Sequence, residues 1–196
     1  MKLNSFNFIY LTSLISLIFL LQGCAPAIVA GGAAGAASIA SDTRTTSSII
    51  EDQAIEFRLA GQLQSDNEMT EFTNINVTSY NNILLLTGEA PTDALKEKAS
   101  TYAQQDSKVK RIYNEIKVTD PLPFKARNYD TWLTTKIKTK LLATKDINSF
   151  DVKVVTSDTT VFLLGLISRQ DAEAVTQVIA RIKGVTRIVK AFEYTD

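Results

Sequence analysis

The chain has 196 residues, 45% of them hydrophobic, with 21 basic and 21 acidic side chains and a formal net charge of zero. It contains no histidine and a single cysteine. This excludes an internal disulfide framework and removes the usual general base, Cys–His nucleophiles and nearly all zinc sites.

Lys2 and the amino terminus precede an apolar run from Phe6 to Leu21, broken only by Asn7, Thr12, Ser13 and Ser16. That run has the length of a signal-peptide core and falls short of the ~20 residues a spanning helix needs. It ends in Leu21-Gln22-Gly23-Cys24, which reads as a bacterial lipobox. Residues 1–23 are then a cleaved lipoprotein signal peptide and Cys24 carries the lipid, palmitate included. An uncleaved anchor with an incidental cysteine is the other reading. Ala25 stands where an Asp would retain a Gram-negative lipoprotein at the inner membrane, so the expected location is the outer membrane, facing the periplasm. Gly, Ala, Ser and Thr dominate residues 24–48, as in a flexible tether. A short Ala-rich helix lying on the membrane fits the same composition.

Residues 49–196 hold two copies of one pattern, 76 to 78 residues apart. Each opens with a helical stretch and an early acidic residue: Asp52 with Ile55, Leu59 and Leu63, then Asp130 with Leu133, Ile137 and Leu141. A strand follows (Ile75–Val77; Val152–Val154), then a turn at Tyr80-Asn81-Asn82 or Ser157-Asp158-Thr159. The next strand runs into a glycine, Ile83–Gly88 and Val161–Gly165. A second helix opens at Thr92 or Ser168, and Ser168-Arg169-Gln170-Asp171 looks like a capping box. A last strand matches Val109, Ile112, Ile116 and Val118 to Val185, Ile188, Phe192 and Tyr194. The fold class is therefore α+β: two tandem αββαβ units, each with two helices on a small mixed three-stranded sheet. The expected domains are 49–119 and 127–196, joined by a linker at 120–126 that contains Asp120-Pro121-Leu122-Pro123. At about 70 residues each copy is small for an independent core, so the two should pack together. Gly88 and Gly165 are read as structural glycines, needed for a positive φ or a close approach.

Chemistry is hard to find. No carboxylate spacing forms a calcium loop, and no glycine-rich phosphate loop follows a strand. Ser100 and Ser107 near lysines read as solvated residues. The expectation is a protein that is not an enzyme and has no metal and no cofactor beyond the covalent lipid.

Charge is uneven. Residues 49–120 carry seven basic and twelve acidic side chains, net −5, whereas residues 121–196 carry twelve and eight, net +4. The second unit is thus suited to an anionic surface, and in the periplasm that means phospholipid head groups more readily than nucleic acid. A helix from about Asn128 to Ala143 focuses the charge. Tyr129, Leu133, Ile137 and Leu141 share its core face, while Trp132, Thr135, Thr139 and Leu142 lie on another, flanked by Lys136 and Lys138. A tryptophan and a leucine rimmed by lysines suit a membrane interface. They equally suit burial, with Trp132 packed against the first unit and Leu142 under a loop.

The repeated helix with its early Asp, the apolar strand ending in Gly88 or Gly165, the second helix and the closing Val-x-x-Ile alternation resemble the BON domain of bacterial envelope proteins. The order lipobox, tether, BON, BON is similar to dual-BON outer-membrane lipoproteins. The segments Asp130–Lys136 and Val161–Leu166 carry the resemblance most closely. The resemblance implies binding of anionic phospholipids (phosphatidylglycerol or cardiolipin) through the first helix of the second unit. Trp132, Thr135, Lys136, Lys138, Thr139 and Leu142 would then be the contacts. It further implies a role in envelope integrity and at division-site membrane. The alternative is a periplasmic protein-interaction scaffold for outer-membrane protein assembly or the division machinery, with the Trp132 stripe as its hot spot.

Overall fold

The computed structural model describes residues 44–145 and 147–196, so the signal segment, Cys24 and nearly all of the tether lie outside the described residues. Helix α1, Thr46–Ser65, starts where the Thr45 hydroxyl accepts the Ser48 amide at 3.2 Å, and it buries Asp52, Ile55, Leu59 and Leu63. Asp66 ends it and opens the next helix, its carboxylate accepting the amides of Glu68 and Met69. This short α2, Asn67–Phe72, was not expected from the repeat. In the second unit a single 3-10 turn, Ser149–Asp151, precedes the first strand.

Strands β1, Asn74–Tyr80, and β2, Ile83–Ala90, pair antiparallel. Helix α3, Asp93–Gln104, is capped by the Thr92 hydroxyl and crosses back so that β3, Arg111–Asn114, runs parallel to β2. The closing strand is split, and β4, Lys117–Val118, resumes on β2 in the same register. The first sheet therefore has four strands rather than the expected three. The break is built by Asn114. Its amide nitrogen donates to the Ser100 hydroxyl (2.6 Å) and the Lys96 carbonyl (3.0 Å), while its side-chain oxygen accepts the Ile116 amide.

The second unit repeats the path. Helix α4, Phe124–Leu142, begins directly after Pro123, four residues before the position the periodicity suggests. Strands β5, Val152–Ser157, and β6, Thr160–Ile167, pair antiparallel. Helix α5, Arg169–Ala180, follows the Ser168 cap, whose hydroxyl accepts the Asp171 amide and donates to the Asp171 carboxylate. Strand β7, Arg187–Tyr194, closes the sheet in parallel with β6 along its whole length.

Both hairpins turn through two residues of positive φ, Asn81 (51°) and Asn82 (66°), then Asp158 (44°) and Thr159 (60°). Thr159 is β-branched and disfavours that conformation, so something must hold it. Asp130 of α4 does: its carboxylate accepts the Asp158 amide at 2.8 Å and the Thr159 amide at 2.9 Å. Asp52 of α1 does the same for Asn81 (2.7 Å) and Asn82 (2.8 Å), and also binds the Ser79 hydroxyl and the Arg44 guanidinium. The early acidic residue of each copy is a staple between helix and turn. Neither of the two glycines leaves room for a side chain, for different reasons. Gly88 has φ +110°, and a Cβ there would sit 1.9 Å from the Asn74 carbonyl oxygen. Gly165 needs no positive φ, but a Cβ would sit 2.5 Å from the Asp151 carbonyl oxygen.

Three cores hold the described residues together. Leu84 and Leu86 of β2 join Ile55, Leu59 and Leu95 under the helices of the first unit. Val161 and Leu163 of β6 join Leu133, Ile137 and Val175 in the second. The alternate residues, Ile83 and Leu85 with Phe162 and Leu164, form a third core together with Tyr80 and Ala191. The two sheets pack face to face through it, which gives four layers: helices, sheet, sheet, helices. Polar contacts edge this seam. The Tyr80 hydroxyl donates to the Asp151 carbonyl (3.2 Å), Lys153 pairs with Glu56 (2.8 Å), Arg187 pairs with Glu115 (2.9 Å), and Lys117 pairs with Asp158.

Candidate functional site: the outward face of α4

Helix α4 turns Asp130, Leu133, Ile137 and Leu141 into the core of the second unit. Trp132, Thr135, Thr139 and Leu142 lie together on the opposite, solvent side, as their spacing dictates. Trp132 is 52% exposed and Leu142 is 62% exposed, so neither is covered by the first unit or by a loop. The burial alternative for Trp132 is thereby overturned.

The stripe is longer and more aromatic than its sequence pattern suggests. Tyr129, assigned above to the core face, is 41% exposed, and its ring centroid lies 5.3 Å from that of Trp132. Its hydroxyl stands over Gly184, where a Cβ would be only 2.5 Å away. Tyr129 sits at the boundary of core and surface because Gly184 leaves room for its tip. Phe124 is 71% exposed and lies two turns before Trp132 on the same side. The earlier start of the helix puts it there. Pro123, in extended conformation at the N-cap, marks that start.

The polar residues of this face are satisfied from within. The hydroxyls of Thr131, Thr135 and Thr139 each donate to the carbonyl four residues back, at 3.1, 3.0 and 2.9 Å. What they offer outward is mainly their methyl groups. Lys136 places its ammonium 4.9 Å from the Trp132 ring centroid and donates to the Lys183 carbonyl at 3.0 Å. Lys138 is exposed, and among the described residues neither it nor Lys136 nor Lys140 forms an ion pair. The face is therefore an apolar and aromatic strip beside uncompensated positive charge. Among the described residues no group of three His, Cys, Asp or Glu side chains could hold a metal. No described helix is long and apolar enough to cross a membrane.

The BON domain family model matches residues 51–120 and 129–196, one match for each unit. Over 186 residues the chain is 34% identical to outer membrane lipoprotein DolP of Haemophilus influenzae, covering 95% of this chain and 96% of that protein. Over 155 residues it is 36% identical to the 21 kDa hemolysin of Actinobacillus pleuropneumoniae, covering 79% and 80%. Two matched units in one chain, aligned almost end to end with such a lipoprotein, mean that this chain belongs to the BON-domain family as a dual-BON, lipid-anchored lipoprotein of the outer membrane.

Proposed function

We propose that the outward face of α4 binds anionic phospholipid, through Trp132, Thr135, Lys136, Lys138, Thr139 and Leu142, and that the protein is non-catalytic and supports outer-membrane integrity. One observation carries this reading: the only tryptophan of the chain is half in water, and over its ring stands Lys136, which forms no ion pair among the described residues. Aromatic rings with lysines at the rim are the side chains that an interface between water and lipid accommodates best. Trp132 and Leu142 each supply up to ~2 kcal/mol if fully buried. Each lysine near an anionic surface adds ~1 kcal/mol. Ordering costs remove part of this, which leaves a weak contact. Lipid on Cys24 makes a weak contact sufficient, because the anchored site meets the bilayer at high effective concentration. The anchor thus provides residence, and α4 provides orientation and preference for acidic lipid.

The test is Trp132 fluorescence of the fragment 45–196, titrated with phosphatidylglycerol and with phosphatidylcholine vesicles. The expected result is a blue shift with the anionic vesicles alone, weakened by salt. An equal response to both lipids, or none, would remove the proposal. Retained crosslinking of α4 to envelope proteins would then favour the scaffold reading.

A further inference from the structure

A groove of about 290 Å³ opens where the first unit meets the C-terminal end of α4. Arg44, just ahead of the first unit, and Tyr80 of that unit line it, together with Leu142, Phe150, Val154 and Lys138 of the second. No acidic side chain is in its wall. Two of its cations are committed, Arg44 to Asp52 and Lys153 to Glu56, but Lys138 has no ion pair among the described residues. Two of its large apolar residues are far from buried: Leu142 at 62% and Phe150 at 46% exposed. Exposed large hydrophobics gathered beside a cavity mark a surface that a ligand, a membrane or a protein covers.

We infer that this groove takes one acyl chain of a membrane phospholipid, with the lipid's phosphate at Lys138. The inference rests on the membrane-facing reading of α4 and goes beyond it. A flat interface would only wet Trp132, whereas the groove draws a single lipid tail between the two units. Three features select this occupant. The lipid-bearing end of the chain enters the described fold at Arg44, which is part of the groove wall. Leu142 belongs to both the α4 strip and the groove, so the two surfaces are continuous. The chemistry is that of an amphiphile: a small soluble anion has no use for Leu142 and Phe150, and an apolar peptide has none for Lys138. The volume lies at the small end of ligand pockets, enough for part of a chain and not for a whole lipid.

The experiment uses the intact lipidated protein in vesicles containing phosphatidylglycerol with a photoactivatable diazirine on its acyl chain. After irradiation the labelled peptides are mapped by mass spectrometry. The expected result is label on the Tyr80 and Val154 peptides as well as on the Trp132 peptide. Ser149 also lines the groove, and Ser149→Tyr fills it. That variant should lose about tenfold of the Tyr80 and Val154 label, equivalent to about 1.4 kcal/mol, while Trp132 keeps its own. Lys138→Gln, on the exposed side of α4, should reduce the same two sites without depending on whether Ser149→Tyr folds. Label on Trp132 with none at Tyr80 and Val154 would overturn the groove and leave the α4 interface standing. Groove label unchanged in both variants would overturn it as well. Absence of label from Trp132 too would strike down the membrane reading of α4 itself.

Discussion

Asp130 shows how one side chain fixes a whole hairpin. It receives two turn amides, at 2.8 and 2.9 Å, and it is buried. Asp130→Ala would leave both donors without their charged acceptor and release a strained Thr159. A loss of about 2–3 kcal/mol is expected, read as a lower urea midpoint. Asp52→Ala should cost more, since that carboxylate holds four partners. Equal midpoints for the two variants would mean that the extra partners contribute nothing. Asp66 makes a different claim, on pH. Hydrogen bonds from Lys98, and then from the Tyr102 hydroxyl, hold its carboxyl well below the ordinary carboxylate range. A depressed folded value stabilises the native state fully above the unfolded value of about 3.9, and that stability drains away as pH falls below it. Asp66→Asn should therefore flatten the fall of stability between about pH 4 and pH 2 and leave its slope near neutrality alone. Thermal melts across that range would detect it, and an unchanged acid slope would refute it.

At the scale of the element, α4 has one face buried in the core and one exposed to solvent. The folding face was legible from spacing alone, because Leu133, Ile137 and Leu141 recur at helical period and all are buried. The exposed face was legible only in part. Trp132 and Leu142 stood out as large apolar residues off the core stripe, and the structure exposes both. Tyr129 was misplaced because the space under its ring is made by Gly184, a residue 55 positions away that no local period reveals. If the face acts through charge, reversal should separate its function from its stability. The double variant Lys136→Glu/Lys138→Glu should bind phosphatidylglycerol vesicles at least tenfold more weakly, on the order of ~1 kcal/mol per lysine removed and more for reversal. Its melting temperature should stay close to that of the parent, because both lysines stand outside the core. Vesicle flotation beside a thermal melt checks both halves. The split of β3 from β4 could not be read from sequence either. It arises from the Asn114 side chain reaching α3, a contact set by tertiary packing.

For the whole molecule the decisive element is the third core. Ile83-Leu84-Leu85-Leu86 and Val161-Phe162-Leu163-Leu164 are unbroken apolar runs in which every residue is buried. A sheet covered on one face only would alternate, so these runs announce that both faces are covered. The expectation that the units pack together rested on their small size alone; the runs carried the same message and were not read for it. What the sequence withheld was the register of the seam and the groove beside it, since both depend on residues from different units. Because the two sheets share a core, heat or urea should unfold both units in one transition. Phe162→Ala, at the centre of the seam, should cost about 3–5 kcal/mol. Intrinsic fluorescence, which reports on Trp132 of the second unit, and far-ultraviolet circular dichroism, which reports on both, should coincide for the parent and separate for this variant. Coincident curves in the variant would mean that the seam polar contacts alone suffice to couple the halves.

The ion pairs along that seam have one more effect. Lys153 with Glu56 and Arg187 with Glu115 join a basic unit to an acidic one, and the excess charge of each lies beyond these pairs. The fold from Arg44 to Asp196 carries 20 basic and 20 acidic side chains, and with its charge divided this way it is an electric dipole. Near a negatively charged bilayer it experiences a torque before it touches anything, positive half inward, over a distance of about 8–10 Å in physiological salt. Under the proposed lipid contact, that torque turns the anchored molecule α4-first and holds the acidic unit away from the surface. Neutrality here is the state that lets the chain be aimed without being drawn in by charge alone.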